Sequence, residues 1–271
     1  MTLRGFRAKR VATCDPSRGT LEDAVVVLDG GLIAYVGPAA GAPPGAALVD
    51  MGDRVVTPGL VDAHTHACWL GSRHAEYAVR MAGGDYRAIA ATGGGILSTH
   101  RAVAAATEDA LVEALVARLA RMVALGVTTV EVKSGYGLEP PHEEKQLRAI
   151  ARAAAAPGGP AVVPTFLALH ALPPSVDRVA YVANVARDLV PRVAREGLAR
   201  FVDAYVDANA FTVDEARMVA EAARASDLGV RLHAGQFADV GGAELAAALA
   251  ASSVDHIEHI SPAGIAALAR A

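Results

Sequence analysis

Residues 57–66 read Thr57-Pro58-Gly59-Leu60-Val61-Asp62-Ala63-His64-Thr65-His66, and the reading of the whole chain starts from them. Pro58 and Gly59 end whatever precedes them. Leu60 and Val61 then begin a short apolar run of strand type, expected to be buried. It ends in two histidines spaced two apart. Side chains alternate across a strand, so His64 and His66 leave its end on one side, about 7 Å apart along the chain. That spacing suits two imidazoles converging on one divalent metal ion. An isolated H-x-H is more often a hydrogen-bonded pair. Here the Pro-Gly stop and further histidines downstream favour the metal.

The chain has 271 residues, enough for one domain of barrel size or two smaller ones. Hydrophobic residues make up 53% and charged residues 20%, the balance of a folded soluble enzyme. The net charge of −4 comes without a basic stripe, so no nucleic-acid partner is expected. Lys is scarce and Arg takes its place. Cys14 and Cys68 are too few for a disulfide framework, and a reducing cytoplasm is the expected setting. Cys68 is read as a small buried filler. No apolar segment follows the charged N-terminus, and no run of about 18 apolar residues avoids Pro, Gly and charge. No membrane partner is expected.

Residues 1–57 read as a small β module. Ala24–Leu28 and Leu32–Val36 form a hairpin about Asp29-Gly30-Gly31, and 37–47 are a loop. Beyond the H-x-H pair, Gly83-Gly84 and Gly93-Gly94-Gly95 mark loops. The triple glycine lacks the strand and lysine of a phosphate cradle and reads as a tight loop near a pocket. Residues 107–125 are an amphipathic helix, capped by Thr107 and ended by Gly126, with Leu111, Leu115, Leu119, Met122 and Val123 on one face. Strands Val127–Val132, Ala161–Leu167, Phe201–Val206, Val230–Leu232 and one led by Val254 then alternate with helices. Such alternation means parallel β/α units. Counted from Val61 there are six strands, where a closed (β/α)₈ barrel has eight. The expected fold is therefore a TIM-like barrel over 58–271, truncated after six strands.

In such barrels chemistry collects at the C-terminal ends of the strands. His64 and His66 follow the first strand, Tyr136 the second, His170 the third, His233 the fifth and His256 the sixth. Each alone is more often a packing histidine. Together they form a candidate site. Asp203 and Asp207 near the fourth strand read as capping or loop hydrogen-bonding groups, and His74, His100, His142 and His259 as structural or exposed.

These residues resemble the amidohydrolase superfamily. The longer motifs resemble its imidazolonepropionase family: Gly71-Ser72-Arg73 after H-x-H, GGGI at 93–96 with Ser98-Thr99, EVKSGYGL at 131–138, TFLALHALP at 165–173, LHAGQF at 232–237 and DHIEHI at 255–260. The resemblance implies hydrolysis of 4-imidazolone-5-propanoate to N-formimidoyl-L-glutamate, in histidine degradation, on one divalent metal ion, Zn²⁺ or Fe (2+/3+). It implies His64, His66 and His233 as metal ligands, with a further Asp after strand eight that has no counterpart here. It implies Arg73, Tyr136 and His170 as contacts to the small-molecule substrate, and a homodimer. It also implies C-terminal strands that complete the small β module as a β-sandwich, so that the chain as given is expected to be incomplete and inactive. A metal held by three protein groups lowers the pKa of bound water toward about 7. Arg73 offers a bidentate fork for a propionate. Gln236 can hydrogen-bond a ring but cannot take a proton, which leaves His256 to polarise a carbonyl or move one. Two alternatives stay open: a deaminase of an amino-substituted ring, which needs no Arg73, and a non-catalytic remnant that binds no metal.

Overall fold

In the computed structural model residues 3–84 and 94–271 are described; Gly93, the first of the triple glycine, lies outside them. The chain divides into two compact units, Met1–Leu60 and Val61–Ala271.

The first unit is a five-stranded sheet of β1 (Arg4–Ala12), β2 (Thr20–Asp29), β3 (Leu32–Pro38), β4 (Ala47–Asp50) and β5 (Val55–Val56). The hairpin β2–β3 turns where Asp29-Gly30-Gly31 predicts, with Gly30 at φ +60°. β1 was not legible as a strand. It lies at the centre of the sheet, antiparallel to β2 and parallel to β4 and β5. Its buried residues are small, Gly5, Ala8 and Val11, set among arginines and a lysine. Gly5 has a reason: a Cβ there would meet the Val26 carbonyl oxygen at 1.9 Å. Among the described residues this unit holds one sheet, so the expected sandwich has no second layer here.

The second unit follows the β/α reading. Its sheet runs β6 (Leu60–Asp62), β7 (Val127–Lys133), β8 (Ala161–Leu169), β9 (Phe201–Val206), β10 (Gly229–Ala234), β11 (Ser253–His256), in sequence order and with parallel pairing through β7–β11. The helices are α1 (His74–Met81), α2 (Ile96–Ala105), α3 (Glu108–Ala124), α4 (Pro140–Ala154), α5 (Arg178–Asn184), α6 (Val190–Arg195), α7 (Val213–Ala225), α8 (Gly242–Ala248) and α9 (Pro262–Leu268). A π segment, Val185–Leu189, joins α5 to α6. Thr107 caps α3 by accepting from the Ala110 N–H, as expected. Leu111, Leu115 and Leu119 are buried, but Val123 faces solvent. No helix of the described residues is long and apolar enough to cross a membrane.

Strand alternation sorts the chemistry. Val130 and Val132, Val202, Ala204 and Val206, and Val230 and Leu232 belong to the apolar core shared with the helices. The alternate residues Glu131, Lys133, Asp203, Arg231, His233 and Asp255 therefore share the opposite face, where an ordinary barrel interior carries branched aliphatics. The sheet is strongly curled. Laid flat, β6 and β11 would stand about 24 Å apart, five strand spacings of about 4.8 Å. Instead His64 Nδ1, after β6, is 3.0 Å from Asp255 Oδ2 on β11. The curl brings the rim residues together without pairing the first strand to the last. β6 is thus an edge, which explains why Leu60 and Val61, expected to be buried, are 57% and 67% exposed.

Helix α7 shows how local chemistry fixes a unit. Thr212 and Glu215 form a reciprocal capping box. Arg178 donates to both Glu215 oxygens at 2.6 and 2.8 Å. The Arg178 hydrogen bond, ahead of all other causes, draws the Glu215 pKa down to about 2. A carboxyl held below its unfolded value of 4.5 stabilises the fold above that pH, and the contribution fades as pH falls toward about 2. Glu215→Gln is expected to cost about 1 kcal/mol near pH 7 and markedly less near pH 3, read from urea unfolding at both pH values.

Candidate metal centre

The histidines expected at the strand ends do converge. His64 and His66 follow β6, and between them the Thr65 carbonyl accepts from the Lys133 N–H. Ring centroids of His64, His66 and His233 lie 4.6–5.3 Å apart. His66 Nε2 and His233 Nε2 are 3.2 Å apart. His256 joins them, 5.4 Å from His64 and 5.3 Å from His233 between ring centres. Ligand atoms of His64, His233 and His256 all lie within 4.8 Å of one another. The His66 Nδ1 is sealed from solvent without a hydrogen-bond partner. Two imidazole nitrogens facing each other need a shared proton or a cation between them, so this donor set fits a divalent ion. Burial, then the neighbouring His170, His233 and His64, push the His66 pKa well below its usual value. The ring is therefore neutral near pH 7, the state in which it can ligate.

Carboxylates stand behind the imidazoles. His233 Nδ1 is 3.0 Å from Asp203 Oδ2, and His64 Nδ1 the same distance from Asp255 Oδ2. Both contacts are close ion-pair distances that miss the line of a hydrogen bond. Carboxylates so close to Nδ1 favour the proton on that nitrogen and leave Nε2 to ligate. Beneath them sits Lys133, fully buried, which donates to Asp203 Oδ2 at 2.8 Å. Its Nζ is also 2.8 Å from Glu131 and 3.5 Å from Asp255. Burial pulls the lysine down, but Asp203 and Glu131 outweigh it and its pKa ends raised. Burial likewise pushes Asp203 up, and His233 and Lys133 reverse it, holding the carboxyl well below the usual range.

The loop Ser134–Leu138 brings Tyr136 and His170 to the same rim. Glu143 on α4 accepts from the Gly135 and Leu138 N–H groups, at 3.0 and 2.7 Å. Gln146 accepts from Tyr136 and Gly137 and donates to the Cys68 carbonyl, so one side chain ties this loop to the chain after His66. Gly137 is required: a Cβ there would lie 2.2 Å from the Glu143 backbone nitrogen. Tyr136 lies 5.9 Å from His66 and 5.2 Å from His170, between ring centres. His170 Nδ1 is 2.7 Å from the Gly135 carbonyl and so carries the proton. Burial first, then His233, lowers its pKa to about 4, leaving Nε2 an acceptor at neutral pH. Gln236 Oε1 accepts from Tyr205 OH at 2.9 Å. Arg73 lines a cavity of about 370 Å³ together with Trp69, Arg80, Thr99 and Tyr136. Its Nε donates to Glu76, which also accepts from the Gly95 N–H of the triple glycine. Tyr136 thus borders both the histidine cluster and the arginine cavity.

The Amidohydrolase family model matches residues 55–267. The chain belongs to the amidohydrolase family. An imidazolonepropionase of Methylobacterium sp. (strain 4-46) is 48% identical over 271 residues, covering 99% of this chain and 68% of the relative. One from Caulobacter vibrioides (strain NA1000 / CB15N) is 48% identical over 267 residues, covering 96% and 66%. The chain therefore spans about two thirds of the length of these curated relatives. A crystal structure of guanine deaminase from C. acetobutylicum superposes with a TM-score of 0.64 at 13% identity, over 99% of this chain and 66% of that one. At that identity the match speaks for the fold.

Two features of this amidohydrolase lay beyond the sequence reading. Asp203, read as a capping or loop group, is instead a buried mid-strand ion-pair partner of Lys133 and His233. Lys133, one residue past the strand Val127–Val132 expected from the sequence, is the last residue of β7 and wholly buried. The signal was present: Glu131 and Lys133, opposite charges two apart, alternate with Val130 and Val132 inside a strand. His256, read as a proton-moving group, stands among the donor atoms, at φ +75° and followed by Ile257 at +57°. Two successive left-handed residues are strained, and strain of this kind collects at functional sites.

Proposed function

We infer that this amidohydrolase opens the ring of 4-imidazolone-5-propanoate with water to give N-formimidoyl-L-glutamate. The observation that carries the reading is the convergence of imidazoles from β6, β10 and β11 beside an arginine-lined cavity, bridged by Tyr136. It agrees with the curated names of the 48% identical relatives.

His64, His66 and His233 would hold one divalent ion, zinc or iron. When bound, the ion supplies Lewis acidity and activates water near neutral pH. The chain's own residues do the rest. Arg73 receives the propionate as an ion pair, which fixes one end of the substrate. Tyr136 and His170 border the ring's other end, His170 as a neutral acceptor at Nε2. Gln236, steadied by Tyr205, offers amide hydrogen-bonding to the ring without exchanging a proton. His256, whose pKa burial and His233 lower, is neutral at pH 7 and can take a proton from water and return it to the departing ring nitrogen. The water oxygen ends in the new carboxylate, and the ring C–N bond breaks. The reading implies a homodimer acting in the cytoplasm on a small molecule.

The test is loss of substrate absorbance on adding zinc- or iron-loaded full-length protein. No turnover with bound metal rejects the reading. Arg73→Ala is expected to raise KM by about 10–100-fold, the worth of a charge-assisted hydrogen bond. A neutral-ring deaminase would be indifferent to that substitution.

A further inference from the structure

The donor groups around the centre are more than one ion needs. Beyond the grouping of His64, His233 and His256, two others have their ligand atoms within 4.8 Å of one another: His64 with Glu131 and Asp255, and Asp203 with His233 and Asp255. Each contains carboxylates that face the same object, the Lys133 ammonium. It touches Asp203 and Glu131 at 2.8 Å and Asp255 at 3.5 Å, with no solvent exposure. Glu131 is further held by Arg231 at 3.1 Å and by Thr165 Oγ1, which donates to it at 2.6 Å. An ammonium in an oxygen cage does what a metal ion would do there: it neutralises the carboxylates and fixes their lone pairs. The choice of residue is pointed, since the chain has three lysines and spends this one wholly inside.

We propose that Lys133 is a built-in substitute for a second metal ion: its ammonium fills the carboxylate cage under the histidines and keeps the centre mononuclear. The inference builds on the one-ion reading above. With the ammonium in place, Asp203 and Asp255 are spent on Lys133 and on the Nδ1 atoms of His233 and His64. Without it, among the described residues the three carboxylates keep only Arg231, on Glu131, to neutralise them, an arrangement that favours an added cation. The cage offers hard oxygens and an imidazole, a donor set suited to Mn²⁺ or Zn²⁺. Lys133 here acts through the carboxylates and is a specificity-determining residue for metal number.

The experiment compares metal stoichiometry in the unaltered chain and in Lys133→Ala. Each is loaded with Zn²⁺, dialysed and measured by elemental analysis, and each is loaded with Mn²⁺ and examined by electron paramagnetic resonance. The expected result is one more ion per chain in the variant, two in place of one, with a spin-coupled Mn²⁺ pair absent from the unaltered protein. Its thermal unfolding midpoint should rise in a second step beyond the first equivalent of Zn²⁺. A folded variant that gains no ion overturns the proposal. Should Lys133→Ala stay unfolded at every Zn²⁺ concentration, Glu131→Gln/Lys133→Ala removes one charge of each sign and leaves Asp203, His233 and Asp255 to ligate. That double variant must gain an ion, or the proposal falls. An unaltered chain that binds no ion rejects the metal-centre reading instead, while a gain of one ion in the variant would still uphold the role of Lys133.

Discussion

Replacing His233 with alanine is expected to lower zinc affinity by more than about 100-fold, measured by competition with a chromogenic chelator. His233 Nε2 is 3.2 Å from His66 Nε2, and its ligand atom also groups with those of His64 and His256. It is the imidazole shared by the pairs, and it is 3% exposed. Loss of an outer-shell partner already costs about 10–100-fold in metal affinity, and loss of a ligand exceeds that. The variant also leaves Asp203 without its imidazole, though Lys133 still neutralises it at 2.8 Å. The fold is therefore expected to survive, and cooperative unfolding of the metal-free variant checks that. An unchanged zinc affinity would remove His233 from the centre.

Glu143→Ala is expected to destabilise the protein by about 3–5 kcal/mol and to loosen the ends of the loop that carries Tyr136. Glu143 is 1% exposed and accepts from Gly135 and Leu138, so the deletion orphans two buried N–H groups and opens a cavity. Burial raises its pKa against the lowering effect of Ser134 and of the loop N–H groups. Gln146 continues to hold Tyr136 and Gly137 from the other side. The loop should loosen at its ends first. Denaturant unfolding reads the stability, and the KM for the propionate substrate reads Tyr136. A loss below about 1 kcal/mol would show that the loop does not depend on this carboxylate.

The β/α alternation was legible because hydrophobic runs and caps repeat cleanly from Val127 onward. Phe201–Val206 matches its strand end for end. The histidines were legible because each ends a strand, and strand ends share a rim. What escaped has physical causes. β1 is buried through Gly5, Ala8 and Val11, residues too small to raise a hydrophobic signal among so many charges. Leu60 and Val61 carry the composition of a covered strand but stand at an edge, a fact of neighbours rather than of local pattern. Asp203 and Lys133 escaped because a charged residue inside a strand is ordinarily read as solvent-facing. The curl of the sheet gives these charges an interior to face, and a partner 70 residues away is not visible in local spacing.

The strands of this sheet are laid down in order, each beside its predecessor. The histidine cluster is the exception. His66 and His233 are separated by 167 residues, and their meeting requires every intervening strand to have taken its place and the sheet to have bent. The site is therefore complete only once the sheet is, and an incompletely folded molecule carries strands and helices but nowhere for a metal to lodge.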